Sequence, residues 1–166
     1  MASTVSGTLT LSSTLNVAVP VGPTALTAYN IGIAPNLTNS YAAGSGPNQG
    51  NKIYQSSLTA TGAVADLDLT AAVCVDGTVG FTHVRELWIF NDATTVGYTL
   101  TYGLGTNPFS PMLGGTTPTV VISPGSVQRF YRPLDTLGWT VSGSIKTVRV
   151  DPGANTIAYR IIVLGD

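Results

Sequence analysis

Along most of this chain apolar and polar residues alternate one by one, and a period of two lays a backbone out as strands with one face buried and one in water. Leu15, Val17, Val19 and Val21 alternate with Asn16, Ala18 and Pro20, and Ala25, Thr27, Tyr29, Ile31 and Ile33 keep the rhythm. Leu67, Leu69 and Ala71 alternate with Asp66, Asp68 and Thr70, which reads as a half-buried strand with its carboxylates in water. Val96, Tyr98, Leu100 and Tyr102 alternate with small or hydroxyl residues. Near the end, Ile157, Tyr159, Ile161 and Val163 share one face, and Ala158, Arg160, Ile162 and Leu164 the other. The last half of that strand is therefore expected to be buried on both sides. One segment, Phe81 to Asn91, places Val84, Leu87 and Trp88 at helical spacing. Its β-branched and aromatic content favours a strand instead.

Turn chemistry separates these runs: Val21-Gly22-Pro23, Ala34-Pro35-Asn36, Asp76-Gly77, Asn91-Asp92, Ser123-Pro124-Gly125, Ser142-Gly143 and Asp151-Pro152-Gly153. About ten short strands so punctuated predict an all-β fold, an antiparallel two-sheet sandwich of jelly-roll type. The 166 residues show no internal repeat and no linker, so residues 1–166 read as one domain. Residues 1–13 are rich in Ser and Thr with weak alternation at Leu9 and Leu11. An extended arm that pairs with another chain's sheet edge and an ordinary first strand with a frayed start both fit them.

Charged residues make up only 9% of the chain, against about 25% in an average soluble protein. Such a surface meets little electrostatic resistance to packing against other proteins. The net charge is -1, and the five basic residues of the last third (Arg129, Arg132, Lys146, Arg149, Arg160) stand singly. No basic stripe forms, so a nucleic-acid partner is not expected. No apolar run reaches the roughly 18 residues that span a bilayer, and no signal peptide is recognised at the start, so no membrane partner is expected.

The chemistry-bearing residues are few. Cys74, the single cysteine, lies in the apolar run Ala71-Ala72-Val73-Cys74-Val75 and reads as a small core residue. His83 is the only histidine. A nucleophilic triad would need it beside a hydroxyl and an acid such as Asp66, Asp68 or Asp76, but it sits mid-run and reads as a strand residue at the edge of the core. Asp66 and Asp68 share one strand face, which reads as solvated. Glu86 is the only glutamate. The glycine pairs at 103–105 and 114–115 lack the Gly-Lys-Ser/Thr of a phosphate loop. Neither catalytic residues, cofactor nor metal are expected, which leaves a structural or binding protein.

Two long irregular segments remain, 38–51 and 103–118. Apolar residues in such Gly/Pro-rich loops need a cover, either their own domain or a neighbouring subunit. Candidate interface residues are accordingly Leu9, Leu11, Tyr41, Leu104, Phe109, Met112, Leu113 and Trp139. Trp88 and Phe90 share a strand face; with Trp139 and the tyrosines they are the residues that would form a stacking platform for a glycan.

The ordered motifs Gly44-Ser45-Gly46-Pro47-Asn48-Gln49-Gly50-Asn51-Lys52, Ala65-Asp66-Leu67-Asp68-Leu69, Phe81 to Asn91, Ile122-Ser123-Pro124-Gly125, Gly138-Trp139-Thr140-Val141 and Val148 to Gly153, closing on Ala158 to Gly165, resemble small tailed-bacteriophage virion proteins of the capsid cement or decoration type. The residues before Gly44 lie outside the resemblance. It implies a β-sandwich or jelly roll, made in the host cytoplasm, that binds the major capsid protein on the outer capsid surface. It also implies self-assembly as a dimer or trimer on a symmetry axis. A carbohydrate-binding or adhesin module, as in a head fibre or tail tip, is the alternative expectation.

Overall fold

The computed structural model describes residues 7–11, 17–20, 26–29, 37–41, 45–46, 49–114, 118–132 and 137–166. The chain divides into two compact units, Gly7–Tyr41 and a larger one that includes Ala42–Asp166, where the sequence reads as a single domain. Among the described residues there is no helix.

In the smaller unit, β1 (Gly7–Leu11) pairs antiparallel with β4 (Leu37–Tyr41), and β2 (Val17–Pro20) with β3 (Leu26–Tyr29). Leu9 stands opposite Asn39, Leu11 opposite Leu37 and Gly7 opposite Tyr41. Residues 7–11, for which an arm and an ordinary first strand both fit the sequence, thus pair within their own chain. Residues 1–6 and 12–13 lie outside the described residues.

The larger unit holds β5 (Lys52–Thr61), β6 (Ala65–Asp68), β7 (His83–Asn91), β8 (Leu100–Tyr102), β9 (Val120–Ile122), β10 (Val127–Tyr131), β11 (Trp139–Thr140), β12 (Thr147–Asp151) and β13 (Thr156–Gly165). One sheet runs β10-β7-β13-β5, with the short β11 also on β7; the other runs β6-β12-β8-β9. Every pairing is antiparallel. Apart from β11, the first strand pairs with the last, β6 with β12, β7 with β10 and β8 with β9. A long hairpin wrapped into two sheets has this order, and it is the strand order of a jelly roll.

The core lies between the sheets. Leu87 and Ile89 of β7 and Ile157, Ile161 and Val163 of β13 meet Leu100, Tyr102, Ile122, Val148 and Val150 of the other sheet. Each fully buried aliphatic side chain stabilises the fold by about 1.5–3 kcal/mol. Tyr102 and Phe130 touch across the gap at 5.5 Å between ring centroids, tilted by 46°. The Tyr102 hydroxyl donates to the Phe109 carbonyl, and burial pushes its pKa up. A buried phenol needs such an acceptor because water cannot supply one.

Two departures from the expected strands have local causes. Val96 is 96% exposed, in a turn closed by the Tyr98 amide on the Thr95 carbonyl. Gly97 at φ 86° reverses the chain there, so the strand begins only at Leu100. In the five-stranded sheet, β13 slips register against β7 between Leu164 and Gly165. A Cβ on Gly165 would lie 2.0 Å from the His83 carbonyl oxygen, so only glycine permits this approach. The bulge turns consecutive β7 residues, Val84, Arg85 and Glu86, all into buried surroundings.

Candidate functional site

The outer face of the five-stranded sheet carries a ladder that period two assembles from three strands. Arg129 of β10 lies opposite Trp88 of β7, which lies opposite Ile162 of β13; Arg160 lies opposite Phe90. The Arg129 guanidinium stacks on Trp88 at 4.6 Å and on Tyr131 at 4.7 Å, and Arg160 stacks on Phe90 at 4.5 Å. Glu86 accepts from Trp88 Nε1 at 2.7 Å and from Arg129 at 2.6 Å. Arg129 Nε is buried without a hydrogen-bond partner among the described residues. The two flanking rings take the place that water would have. Although Trp88 and Phe90 stack at 6.0 Å with planes 16° apart, Trp88 is only 2% exposed. Its face is occupied by Arg129 and cannot receive a sugar.

His83 does meet a carboxylate, though none of the three aspartates that the sequence offers. The Asp166 carboxylate accepts from His83 Nδ1 at 2.9 Å, and Arg85 holds its other oxygen at 2.8 Å. Arg85 also donates to the Gln49 carbonyl at 2.9 Å and to the Ser45 carbonyl at 2.7 Å. The guanidinium therefore ties Ser45, Gln49, β7 and the residue after β13 together. Its planar fork suits three acceptors in different directions. Among the described residues the His83 side chain has no hydroxyl partner. A contact between residues 83 apart in sequence leaves no local pattern, which is why spacing did not reveal it.

Asp66 and Asp68 face outward from β6 and meet cations of β12 and the preceding residue. Arg149 grips Asp66 with two bonds of 2.6 Å. Lys146 reaches Asp68 at 2.6 Å. Lys146, helped by Thr70, holds the Asp68 carboxyl below its ordinary pKa. Among the described residues no group of three His, Cys, Asp or Glu side chains is placed to hold a metal. Cys74 is buried, and burial raises its thiol pKa, which disfavours the reactive thiolate.

The second long loop forms one wall of a cleft of about 410 Å³. Leu104, Pro108, Pro111, Ser144 and Ile145 line it, and none of its described lining residues is ionisable. Leu104 and Ile145 stand exposed at the rim, 40% and 37% respectively. Behind them, Phe109 is fully buried in the core, so it is covered by its own domain and is not on a surface. The reason is the Tyr102 hydroxyl, which anchors the Phe109 carbonyl, together with the Phe109 amide bond to Thr147 at 2.7 Å. Met112, Leu113 and Trp139 are half-buried against the same core. The side chains of Leu9, Leu11 and Tyr41 lie outside the described residues. Of the eight candidate interface residues, the structure thus places Leu104 alone clearly in the open among those described.

A feature that the alternation alone passed over is the hairpin of residues 72–80. Val73 and Val79 bridge across it, and the Asp76 carboxylate closes the turn on the Thr78 amide at 3.1 Å. Cys74 points inward, while Val73, Val75 and Val79 are 63%, 73% and 61% exposed. The Val-x-Val spacing was the available signal; which face met water was not.

No family model, no curated protein and no solved structure matches this chain.

Proposed function

We propose that this protein acts by surface contact, as a structural component of a larger protein assembly. The specific form of that reading is a virion cement or decoration protein that seats on the outer surface of a capsid and holds neighbouring major capsid subunits together. The observation that carries it is the cleft beside Leu104 and Ile145. It is walled by Pro, Gly and Ser and rimmed by two exposed aliphatic residues, with no ionisable group among its described lining residues. A cleft of this chemistry suits an apolar protrusion on another protein better than a charged metabolite. The ionisable residues support the same reading, since His83, Arg85, Asp166, Glu86 and Arg129 are engaged in holding strands together. Bridging two subunits adds contacts that must break before a shell opens, and mass action favours the bound state.

The test is co-sedimentation with capsids that lack the protein. The native protein is expected to pellet with the shells. Leu104→Asp combined with Ile145→Asp is expected to weaken that binding at least tenfold while leaving the circular-dichroism spectrum unchanged. Native protein that stays in the supernatant would overturn the capsid reading.

A further inference from the structure

We infer that β5 is a docking edge for the same strand of a second copy of this chain, the two running antiparallel across a two-fold axis so that the five-stranded sheets join. This goes beyond the capsid reading and does not depend on it.

The argument begins with the backbone. β5 pairs only with β13 among the described strands, in unbroken register over its ten residues. The Ile53 carbonyl accepts from the Val75 amide at 2.7 Å, on the side away from β13. In an antiparallel strand the N–H and C=O of one residue point the same way, and the direction alternates. Gln55, Ser57 and Thr59 therefore also turn their backbone groups away from β13. All three are exposed, and no hydrogen-bond partner of their amides occurs among the described residues. An edge of this length is usually blunted by proline, a bulge or inward charges. β5 has no proline and no bulge, and its one charge is Lys52 at the end.

The chemistry of the strand selects a second copy as the occupant. With the axis at Ser57, that residue faces its own twin, and Gln55 faces Thr59, which gives roughly six new backbone hydrogen bonds. On the inner face Tyr54 faces Ala60 and Ser56 faces Leu58, each larger side chain against a smaller one. The two Lys52 side chains lie at opposite ends of the pair, so like charges do not meet. The same operation explains the bare valine hairpin. Val73, Val75 and Val79 flank the start of β5 through the Ile53–Val75 bond, and Val64, 46% exposed, follows its end. Antiparallel doubling brings the start of one strand to the end of the other, with the pairing confined to residues 54–60 because Val75 already holds the Ile53 carbonyl, so the hairpin valines of each copy border the end of its twin's β5. Apolar groups left in water in each chain are then covered in the pair.

Sedimentation equilibrium over a range of concentrations reads the inference directly, with no capsid present. The native protein is expected to show two chains. Ser57→Lys places two ammonium groups face to face at the axis and is expected to give one chain with an unchanged far-ultraviolet circular-dichroism spectrum. Ser57→Cys, oxidised gently, is expected to link two chains through a disulfide, because paired residues at the axis lie within bridging distance. Ser56→Cys, on the inner face, is expected not to. Native protein that remains a single chain at every concentration overturns the inference. So does a trimer, or a dimer that survives Ser57→Lys and is not linked through Ser57→Cys, since another face would then be doing the pairing.

Discussion

The two sheets of the larger unit turn very different outer faces outward, although both are built by the same alternation. On the four-stranded sheet, the outer face carries an ion-pair ladder. Asp66 and Arg149 retain 41% and 22% of their side-chain exposure, and Asp68 and Lys146 are similar. On the five-stranded sheet, Glu86 and Arg129 make the same kind of pair at the same 2.6 Å, but with 0% and 7% exposed. The difference is position. β6 is an edge strand of four residues, open to water along one side. β7 is interior and flanked by β10 and β13, so long side chains from both neighbours close over it. In water a Coulomb attraction is weakened roughly twentyfold relative to a dry interior, and a pair is correspondingly cheap to lose. Removing one partner of a desolvated pair leaves a charge with nothing to replace it.

Substitution at matched positions sharpens or breaks that contrast. Glu86→Ala strands the Arg129 guanidinium and leaves the Trp88 indole N–H without its acceptor, and is expected to cost about 3–5 kcal/mol in chemical denaturation. Trp88→Ala belongs in the same range, about 3–5 kcal/mol, from the void it leaves and the lost stacking with Arg129 and Phe90. Asp66→Ala, measured the same way, is expected to cost about 0.2–1 kcal/mol. If Glu86→Ala and Asp66→Ala cost the same, burial does not separate the two faces and the contrast fails.

A smaller effect follows from acid. The Lys146 ammonium and the Thr70 hydroxyl hold the Asp68 carboxyl below its ordinary pKa of 3.8, and Thr78 does the same for Asp76. A depressed folded-state pKa stabilises the fold fully above the ordinary value, and the gain fades as pH falls through the folded-state value, because the unfolded chain takes up its proton first. Thermal midpoints are therefore expected to hold from pH 7 to about pH 5 and to fall below about pH 4. Asp68→Asn should flatten part of that fall. The smallest effect is ionic strength. At about 1 M salt the Debye length shrinks to about 3 Å, which is expected to erase what Asp66→Ala costs and leave the cost of Glu86→Ala nearly unchanged.

Most strands of the larger unit are legible in the sequence, because period two is a local property and turn residues mark where it stops. Phe81 to Asn91 reads correctly as a strand for that reason, and Asp76-Gly77 and Asp151-Pro152-Gly153 are turns whose aspartates cap the amides of Thr78 and Gly153. The candidate surface was less legible. Phe109 and Leu104 sit five residues apart in one Gly/Pro-rich loop, with the same apolar character, yet one is core and the other is exposed. Nothing local distinguishes them. The Tyr102 hydroxyl does, by drawing the Phe109 backbone inward.

What the amino-acid order determined by itself was most of the strand content of the larger unit, since side-chain alternation and backbone sterics act between neighbours. Only the tertiary structure decided that β13 lies between β5 and β7, that the Asp166 carboxyl closes on His83 and Arg85, and that one outer face is dry while the other is wet. Those outcomes depend on which distant segments share a sheet. Strand order is set by the whole chain burying its apolar faces at once, and no short stretch carries that information.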